Sequence, residues 1–285
     1  INTDGTVSNV AGTGTAGSTG DGGQATAARL NAPVRLTFDS AGDLFIADSG
    51  NNKIRKITIS TGVITTVAGT GTAGNTGDGG LATAARLRTP YDVAFGPDGS
   101  MFIADRANHK IRKVNMSTGV ITTFAGNGTA GFSGDDIVAT TSRLNSPYGV
   151  DVAADGSVYI ADYDNERIRR VDTNGIISTV AGTGIATANG DGGPAVEAGL
   201  HKPTYVLVQP SGDLYIGEAN NNRVRYVHDN LIDTLAGSGQ FGYVGDGTFP
   251  LFSTWQRPSS LAFDSAGNLW IADRQNRRLR VINAS

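Results

Sequence analysis

Residues 33–69 read PVRLTFDSAGDLFIADSGNNKIRKITISTGVITTVAG, and this stretch decides the fold. It contains four short runs that are rich in β-branched, aliphatic or aromatic residues and are bounded by turn residues. These runs are 34–39, 43–48, 53–58 and 62–69. Ser, Gly, Asn and Thr residues stand between them, as expected for tight hairpins. The stretch therefore predicts four antiparallel strands that are consecutive in the chain.

The same block occurs five times along the 285 residues, at steps of 57, 57, 56 and 55. A fixed period of this size indicates a repeat architecture in which each repeat is one supersecondary unit. The anchors are Ile46-Ala47-Asp48, Ile103-Ala104-Asp105, Ile160-Ala161-Asp162, Ile216-Gly217-Glu218 and Ile271-Ala272-Asp273. The repeats leave no stretch for a second domain, so we predict one domain over residues 1–285.

The two ends of the chain complement each other. Residues 1–12 align with 171–182, the last turn and fourth strand of a block, whereas the last block stops after its third strand at 278–282. We therefore predict an all-β, closed five-bladed β-propeller of four-stranded antiparallel blades, in which residues 5–12 complete the last blade. Such pairing would remove an open sheet edge.

Composition argues against several classes of function. The chain has 23 Lys and Arg against 26 Asp and Glu, a formal net charge of −3, so it offers no general attraction for nucleic acid or an anionic membrane. It contains no Cys, which excludes disulfides, thiolate metal sites and cysteine nucleophiles. We expect neither a nucleic-acid partner nor a membrane partner, and we expect the protein to be a monomer.

The repeat resembles the NHL-repeat family of β-propellers. The resemblance is carried by a strand that ends in Ala-Asp, followed by the pattern Asp-x-x-Asn-x-Arg/Lys-Ile/Val. In this chain the pattern spans 48–54, 105–111, 162–168, 218–224 and 273–279, with Glu218 in place of Asp in the fourth copy and Leu279 in place of Ile or Val in the fifth. The repeat is longer than is usual in the family, and the surplus lies in the connection between blocks. The resemblance implies a fold rather than a reaction.

Some lyases with this fold bind a catalytic metal through His residues just after the Pro of the repeat. Here those positions hold Val34-Arg35, Tyr91-Asp92, Tyr148-Gly149, Thr204-Tyr205 and Ser259-Ser260. The three His residues, His109, His201 and His228, occupy three different repeat positions. The lyase chemistry therefore does not carry over residue by residue, and we predict no catalytic metal.

Two sets of recurring acids favour structural roles. The strand-end acids are expected to accept backbone hydrogen bonds and to pair with an Arg of the next strand. The aspartates of the Gly-Asp-Gly/Asp turns, which are Asp21, Asp78, Asp135, Asp191 and Asp246, are expected to cap a short helix such as Ala25–Leu30. Weak calcium binding is the alternative for these turns, although they lack alternating Asp spacing.

The glycines of Gly12–Gly17 match G-x-G-x-x-G. A dinucleotide site would also need a parallel β-α-β unit, which the repeat does not provide. We therefore expect no cofactor.

Asp151 stands inside a strand where the other blocks carry Thr37, Ala94, Leu207 and Ala262. A carboxylate in such a strand is costly unless it has a partner. Two interpretations stay open: a hydrogen bond to a neighbouring blade, or a channel-lining base or ligand-binding group.

The long connections and the turns between second and third strands emerge on one face, which we call the long-loop face. A ligand that is not five-fold symmetric must be read by residues that differ between repeats. These candidates are mostly aromatic or Arg, the types that dominate binding hot spots. Besides Asp151 they are Arg35, Tyr91, Asp92, Tyr148 and Tyr205 after the Pro, Arg106, Tyr163 and Arg274 in the short turns, and Phe132, Phe241 and Tyr243 in the long connections. The alternative for these last three is that they pack their own loops.

The sequence therefore predicts a soluble, extracytoplasmic or secreted module that binds a protein, peptide or glycan on the long-loop face. Two other functions remain open: a lyase or hydrolase at the mouth of the central channel, and a purely structural or engineered repeat array.

Overall fold

A computed structural model describes residues 6–284 of the chain. The chain forms two compact units, Ile1–Phe124 and Ala125–Ser285. The prediction of a single domain over residues 1–285 stays a prediction.

The first unit contains two antiparallel four-stranded sheets, blade 1 and blade 2, with strands in sequence order. Blade 1 consists of β1 (Pro33–Phe38), β2 (Leu44–Asp48), β3 (Lys53–Thr58) and β4 (Val63–Ala68), and blade 2 of β5 (Pro90–Phe95), β6 (Met101–Asp105), β7 (Lys110–Val114) and β8 (Ile121–Ala125).

The second unit contains three antiparallel sheets, blades 3 to 5. Blade 3 is formed by β9 (Ile137–Val138), β10 (Pro147–Val152), β11 (Val158–Asp162), β12 (Arg167–Val171) and β13 (Ile176–Ala181). Blade 4 is formed by β14 (Gly193–Pro194), β15 (Pro203–Val208), β16 (Leu214–Glu218), β17 (Arg223–His228) and β18 (Leu231–Ala236). Blade 5 is formed by β19 (Pro258–Phe263), β20 (Leu269–Asp273) and β21 (Arg278–Ile282).

The strands form where the sequence predicts them because each is short, apolar and bounded by hairpin residues. The second strand is the most enclosed, since β2 and β6 are buried along their whole length. Strands with both faces covered read as continuous apolar runs rather than as alternating ones. The predicted class, an all-β five-bladed β-propeller of antiparallel sheets, is confirmed.

The connection that leads into a blade covers the outer edge of that blade's fourth strand. In blade 3 the two-residue strand β9 pairs with β13, and in blade 4 β14 pairs with β18. Single bridges, Gln24 to Val63 and Leu81 to Val120, do the same in blades 1 and 2. These contacts cover edges that would otherwise be open to another strand.

The helix predicted at Ala25–Leu30 is shorter than expected. Only Ala25–Ala27 is helical, as a 3-10 helix, and Ala28 is already extended at φ −76° and ψ 161°. Equivalent 3-10 helices precede the first strands of the other blades, at Ala82–Ala84, Ala139–Thr141, Ala195–Glu197 and Pro250–Phe252. A second set fills the turn after the second strand in blades 1 to 3, at Ser49–Asn51, Arg106–Asn108 and Tyr163–Asn165.

Within residues 6–284, blade 5 has three strands, in the order β19, β20, β21. The predicted partner segment is described only in part, because residues 1–5 lie outside the described residues. Residues 6–10 are exposed and have no strand assignment. Closure through residues 5–12 therefore stays a prediction. In the described part of the chain no helix is long and apolar enough to cross a membrane.

Candidate functional site

The acid at the end of each second strand is fully buried and bonded within its own repeat. In blade 3, one oxygen of Asp162 accepts the backbone N–H of Asn145 at 2.7 Å, and the other accepts the Asn165 amide at 2.7 Å. The guanidinium of Arg169 lies 3.7 Å from the second oxygen. The predicted structural pairing with Arg is present in all five repeats: Asp48 with Arg55, Asp105 with Arg112, Asp162 with Arg169, Glu218 with Arg225 and Asp273 with Arg280.

The predicted role of the turn aspartates as helix caps is wrong. The residue before each 3-10 helix, such as Val138, makes no side-chain cap. Instead Asp135 binds the opposite side of the Arg169 guanidinium at 2.9 Å and accepts a hydrogen bond from Thr179 at 2.9 Å. A three-residue helix has few free N–H groups to satisfy, whereas a buried guanidinium needs more than one acceptor. The same Asp–Arg pairs join Asp21 to Arg55, Asp78 to Arg112, Asp191 to Arg225 and Asp246 to Arg280.

We call each set of turn aspartate, buried Arg and strand-end acid a latch, because it ties the connection to the second and third strands of the same blade. Burial raises the pKa of Asp105 and Asp162 to about 6 and that of Glu218 to about 7, against the opposing effect of their hydrogen-bond donors. The charged latch is therefore stable only as a complete set of partners. Among residues 6–284 no group of three or more His, Asp or Glu side chains is arranged to hold a metal ion.

The candidate residues after the Pro differ in exposure. Arg35 and Asp92 are buried, and an Asp92 oxygen accepts the backbone N–H of Val93 at 2.9 Å. Tyr91 is half-buried, with the Arg106 guanidinium 5.8 Å from its ring centre. Tyr205 is also half-buried and packs against the core of blade 5. Arg35 and Asp92 thus lie within the fold, whereas the tyrosines keep part of their surface in solvent.

Tyr148 and Tyr163 form a stacked pair at the long-loop end of blade 3. Their ring centres are 3.9 Å apart and the planes differ by 16°. The Lys202 ammonium of blade 4 lies 5.1 Å from the Tyr163 ring centre. It also forms ion pairs with Asp164 at 2.9 Å and Glu166 at 3.0 Å. Both rings are half-buried, so this cluster presents an aromatic surface beside a paired cation.

Asp151 bridges two blades. One of its oxygens accepts the backbone N–H of Val152 at 2.9 Å, and the other accepts that of Val208 in blade 4 at 2.8 Å. The structure therefore shows the hydrogen bond to a neighbouring blade that one of the two interpretations expected.

The aromatic residues of the long connections fall into two groups. Phe132 and Tyr243 occupy equivalent positions and stack on the first Arg of their own third strand, with guanidinium-to-ring distances of 3.9 Å to Arg167 and 3.3 Å to Arg278. These contacts favour loop packing for both. Phe241 is 75% exposed and, like Arg274, lies in solvent.

Phe241 also lines a cleft of about 390 Å³ at the long-loop end of blades 4 and 5. Its other lining residues are His201, Ala219, Asn220, Arg257 and Gln275. The sequence predicted a binding role for only one residue of this set, Phe241. The signal that could have found Arg257 is the residue before the Pro of each repeat, which is uncharged in the first three repeats and becomes Lys202 and then Arg257.

The histidines of the second unit do not converge. His201 contacts Asn220 at 3.2 Å at the long-loop end of blade 4. His228 ends β17 at the opposite end of that blade, where its Nδ1 lies 2.6 Å from Asp213, and this contact raises its pKa. A pair of histidines that share a ligand is therefore not formed in this unit.

Comparison with known proteins agrees with the repeat pattern. Residues 127–189 match the teneurin NHL domain family. Protein SUPPRESSOR OF QUENCHING 1, chloroplastic, of Arabidopsis thaliana is 30% identical over 90% of this chain. Teneurin-1 of Mus musculus is 33% identical over 74% of this chain. NHL repeat-containing protein 2 of Homo sapiens is 26% identical over 84% of this chain. The chain spans 25%, 8% and 37% of these proteins, respectively.

A similar fold is found in an auxiliary nutrient binding protein from Bacteroides thetaiotaomicron, with a TM-score of 0.67 and 16% identity over 91% of this chain and 60% of that one. Likeness at this level of identity concerns the fold alone. With the five repeated blades, the Asp/Glu-x-x-Asn-x-Arg/Lys pattern in each of them and the matches above, the chain belongs to the NHL-repeat family of β-propellers.

Proposed function

We propose that this chain is a binding module that recognises a protein, peptide or glycan through the long-loop ends of its blades. The proposal rests on a difference between two groups of residues. The latch residues recur in all five repeats and bond to one another, so they serve the scaffold. The residues that differ between repeats include partly exposed aromatic and basic side chains at one end of the blades.

The observation that carries the proposal is the Tyr148–Tyr163 stack with Lys202 beside it. Blades 1, 4 and 5 have Val34 and Ser49, Thr204 and Ala219, and Ser259 and Arg274 at the two ring positions. Packing of the repeat therefore does not require a stacked pair there. Two rigid rings offer a large contact area at low cost in conformational entropy, with hydroxyl groups for polar contacts.

The family supports the same class of function. NHL propellers are scaffolds on which function lies in individual sites, and a structurally similar protein is described as nutrient-binding. Pockets and contact surfaces made from connecting loops on a rigid scaffold are common sites of recognition.

A binding screen tests the proposal. Labelled chain is applied to a printed glycan array and to a random-peptide phage library, and each hit is tested again with the variant Y148A/Y163A. We expect at least one hit whose affinity falls by about tenfold or more, because hot-spot aromatic residues each contribute about 2 kcal/mol or more. F249A removes an equally aromatic but 76% exposed side chain from another loop and serves as the matched control.

The outcome that contradicts the proposal is that no hit depends on the stack. This holds when Y148A/Y163A and F249A bind every hit as the unchanged chain does, while circular dichroism shows that both variants are folded.

A further inference from the structure

Arg257 and Lys202 occupy equivalent positions, one residue before the Pro of their repeats. Both have a left-handed backbone, with φ of 56° and 55°. Each extends its side chain toward the turn after the second strand of the preceding blade. The two residues differ in the charge of the groups that they face.

Lys202 faces two carboxylates. Its ammonium pairs with Asp164 and Glu166, and its backbone N–H donates to Glu166. Burial alone would lower the pKa of Lys202, but the hydrogen bonds to the two acids outweigh burial and raise it. The charge of Lys202 is therefore neutralised inside the protein.

Arg257 faces two amides at the corresponding positions. The oxygen of Asn220 accepts a hydrogen bond from its guanidinium at 3.2 Å, and the oxygen of Asn222 accepts its backbone N–H at 3.1 Å. Arg257 thus contacts the same two positions of the turn as Lys202 does, but neither of its two partners carries a negative charge. Within residues 6–284, no carboxylate oxygen lies within 4.0 Å of the Arg257 side chain.

Glu218, the strand-end acid of blade 4, is bonded to other partners and forms no ion pair with Arg257. Glu218 is fully buried, and its two oxygens accept from the backbone N–H of His201 at 2.7 Å, from Asn221 at 2.7 Å and from Arg225 at 3.4 Å. Arg257 is therefore the unpaired positive charge in the wall of the 390 Å³ cleft. A guanidinium of this kind favours a carboxylate, which it can bind through two parallel hydrogen bonds.

The other walls restrict the ligand further. Asn220 and Gln275 carry amides, which can both donate to and accept from a peptide group. Ala219 and Phe241 are apolar, and the Phe241 ring is 75% exposed. The size is that of a pocket for a small ligand or a chain end. One cation, two amides and an apolar wall match the carboxylate, the last peptide group and the side chain of a peptide terminus.

We propose that this cleft binds the C-terminal carboxylate of a peptide that ends in an apolar residue. This inference deepens the proposed function, because it names a ligand class for one part of the long-loop end. It does not depend on the Tyr148–Tyr163 stack, and the two proposals can fail separately.

The test uses the full chain and two matched pairs of probes. N-acetyl-glycyl-phenylalanine is compared with its C-terminal amide, and glucuronate with glucose, by following the side-chain amide signals of Asn220 and Gln275 in NMR titrations. We expect the acid peptide to bind about tenfold or more tightly than its amide, since hydrogen bonds to charged groups contribute about 1.5–3 kcal/mol. We also expect it to bind more tightly than glucuronate.

Three variants locate the effect. R257Q should abolish the preference for the acid peptide, and N220D should do so as well, because the new carboxylate would pair with Arg257 as Asp164 pairs with Lys202. R277Q removes an exposed Arg that also has a positive φ, and it should leave the preference unchanged. The N220D variant keeps every positive charge, so it separates neutralisation from loss of the side chain.

Several results overturn the inference. They are equal binding of acid and amide peptides, no binding of either, a preference for glucuronate, and an acid preference that survives in folded R257Q. In each of these cases a ligand from the screen that depends on Tyr148 and Tyr163 would still support the proposed function.

Discussion

The latch shows how single residues hold an NHL repeat together. Arg169 is completely enclosed, and it lies between Asp162 and Asp135, which are at the end of a strand and in a connection. A buried charge is tolerated only with good partners, and removing one partner leaves the others uncompensated. The latch is therefore a set in which each charge depends on the rest.

Replacing the central Arg should be costly. We expect R169M to lower the free energy of unfolding by about 3–5 kcal/mol, because Asp162 would stay buried without its cation. Urea denaturation followed by circular dichroism measures the change. R170M is the matched control: Arg170 is the next residue in β12, its side chain is 36% exposed, and it pairs with Asp155 at 3.4 Å, so its loss should cost about 1 kcal/mol or less. Equal losses for both variants would show that the latch has no special role.

At the scale of elements, two glycines of the connection into blade 4 meet different requirements. Gly190 has φ 93°, and a Cβ at this position would lie 2.7 Å from the Cα of Ala198 across the loop. Gly192 has a similar φ of 76° but nothing within 4 Å of the same position. The two glycines thus separate the requirement for a left-handed backbone from the requirement for close packing.

This difference gives a paired prediction. G192A should destabilise by about 1–2 kcal/mol through its backbone conformation alone. G190A should cost about 1–3 kcal/mol more, because the added methyl group overlaps backbone atoms that pack the connection against the blade. Thermal melts of both variants measure the difference, and equal melting temperatures would mean that the loop shifts freely to make room.

The sequence predicted the strands and hairpins of the described blades because these depend on residues that are close in the chain. It also predicted that Asp48 and its equivalents pair with an Arg seven residues later. It failed for Asp21 and its equivalents, whose Arg partners lie 34 residues away. The cleft was missed for the same reason, since Arg257 meets Asn220 across 37 residues and local patterns do not report such pairs.

At the scale of the whole molecule, blade 5 differs from the others at its third strand. Leu279 is 63% exposed, whereas the equivalent residues Ile54, Ile111, Ile168 and Val224 are fully buried. In blades 1 to 4 the fourth strand follows the third in the sheet order, whereas among the residues that the structure describes β21 is the last strand of blade 5. A groove of about 330 Å³ lies along β21, lined among others by Leu279, Trp255 and Asp246.

The sequence predicts that residues 5–12 fill this position. Deleting residues 1–12 should then lower the melting temperature by several degrees or cause aggregation, because an open strand edge pairs with other chains. L279S should destabilise the full chain by about 1 kcal/mol or more, as expected for a buried leucine, but should have little effect after the deletion. Differential scanning calorimetry with light scattering checks both. A monomeric chain with an unchanged cooperative melt after deletion would contradict closure.

The latch also bears on how such a chain could gain or lose repeats. In blade 1 its members run from Asp21 through Asp48 to Arg55, and the Thr66 hydroxyl donates a hydrogen bond to Asp21 at 2.7 Å. The next latch begins only at Asp78. A gene duplication whose boundaries fall between residues 66 and 78 copies one complete latch. A duplication whose boundaries fall between a turn aspartate and its arginine can instead combine latch residues from two repeats whose loops differ in length. The position of the recombination boundaries therefore decides whether an added repeat contains all the charged partners of its latch.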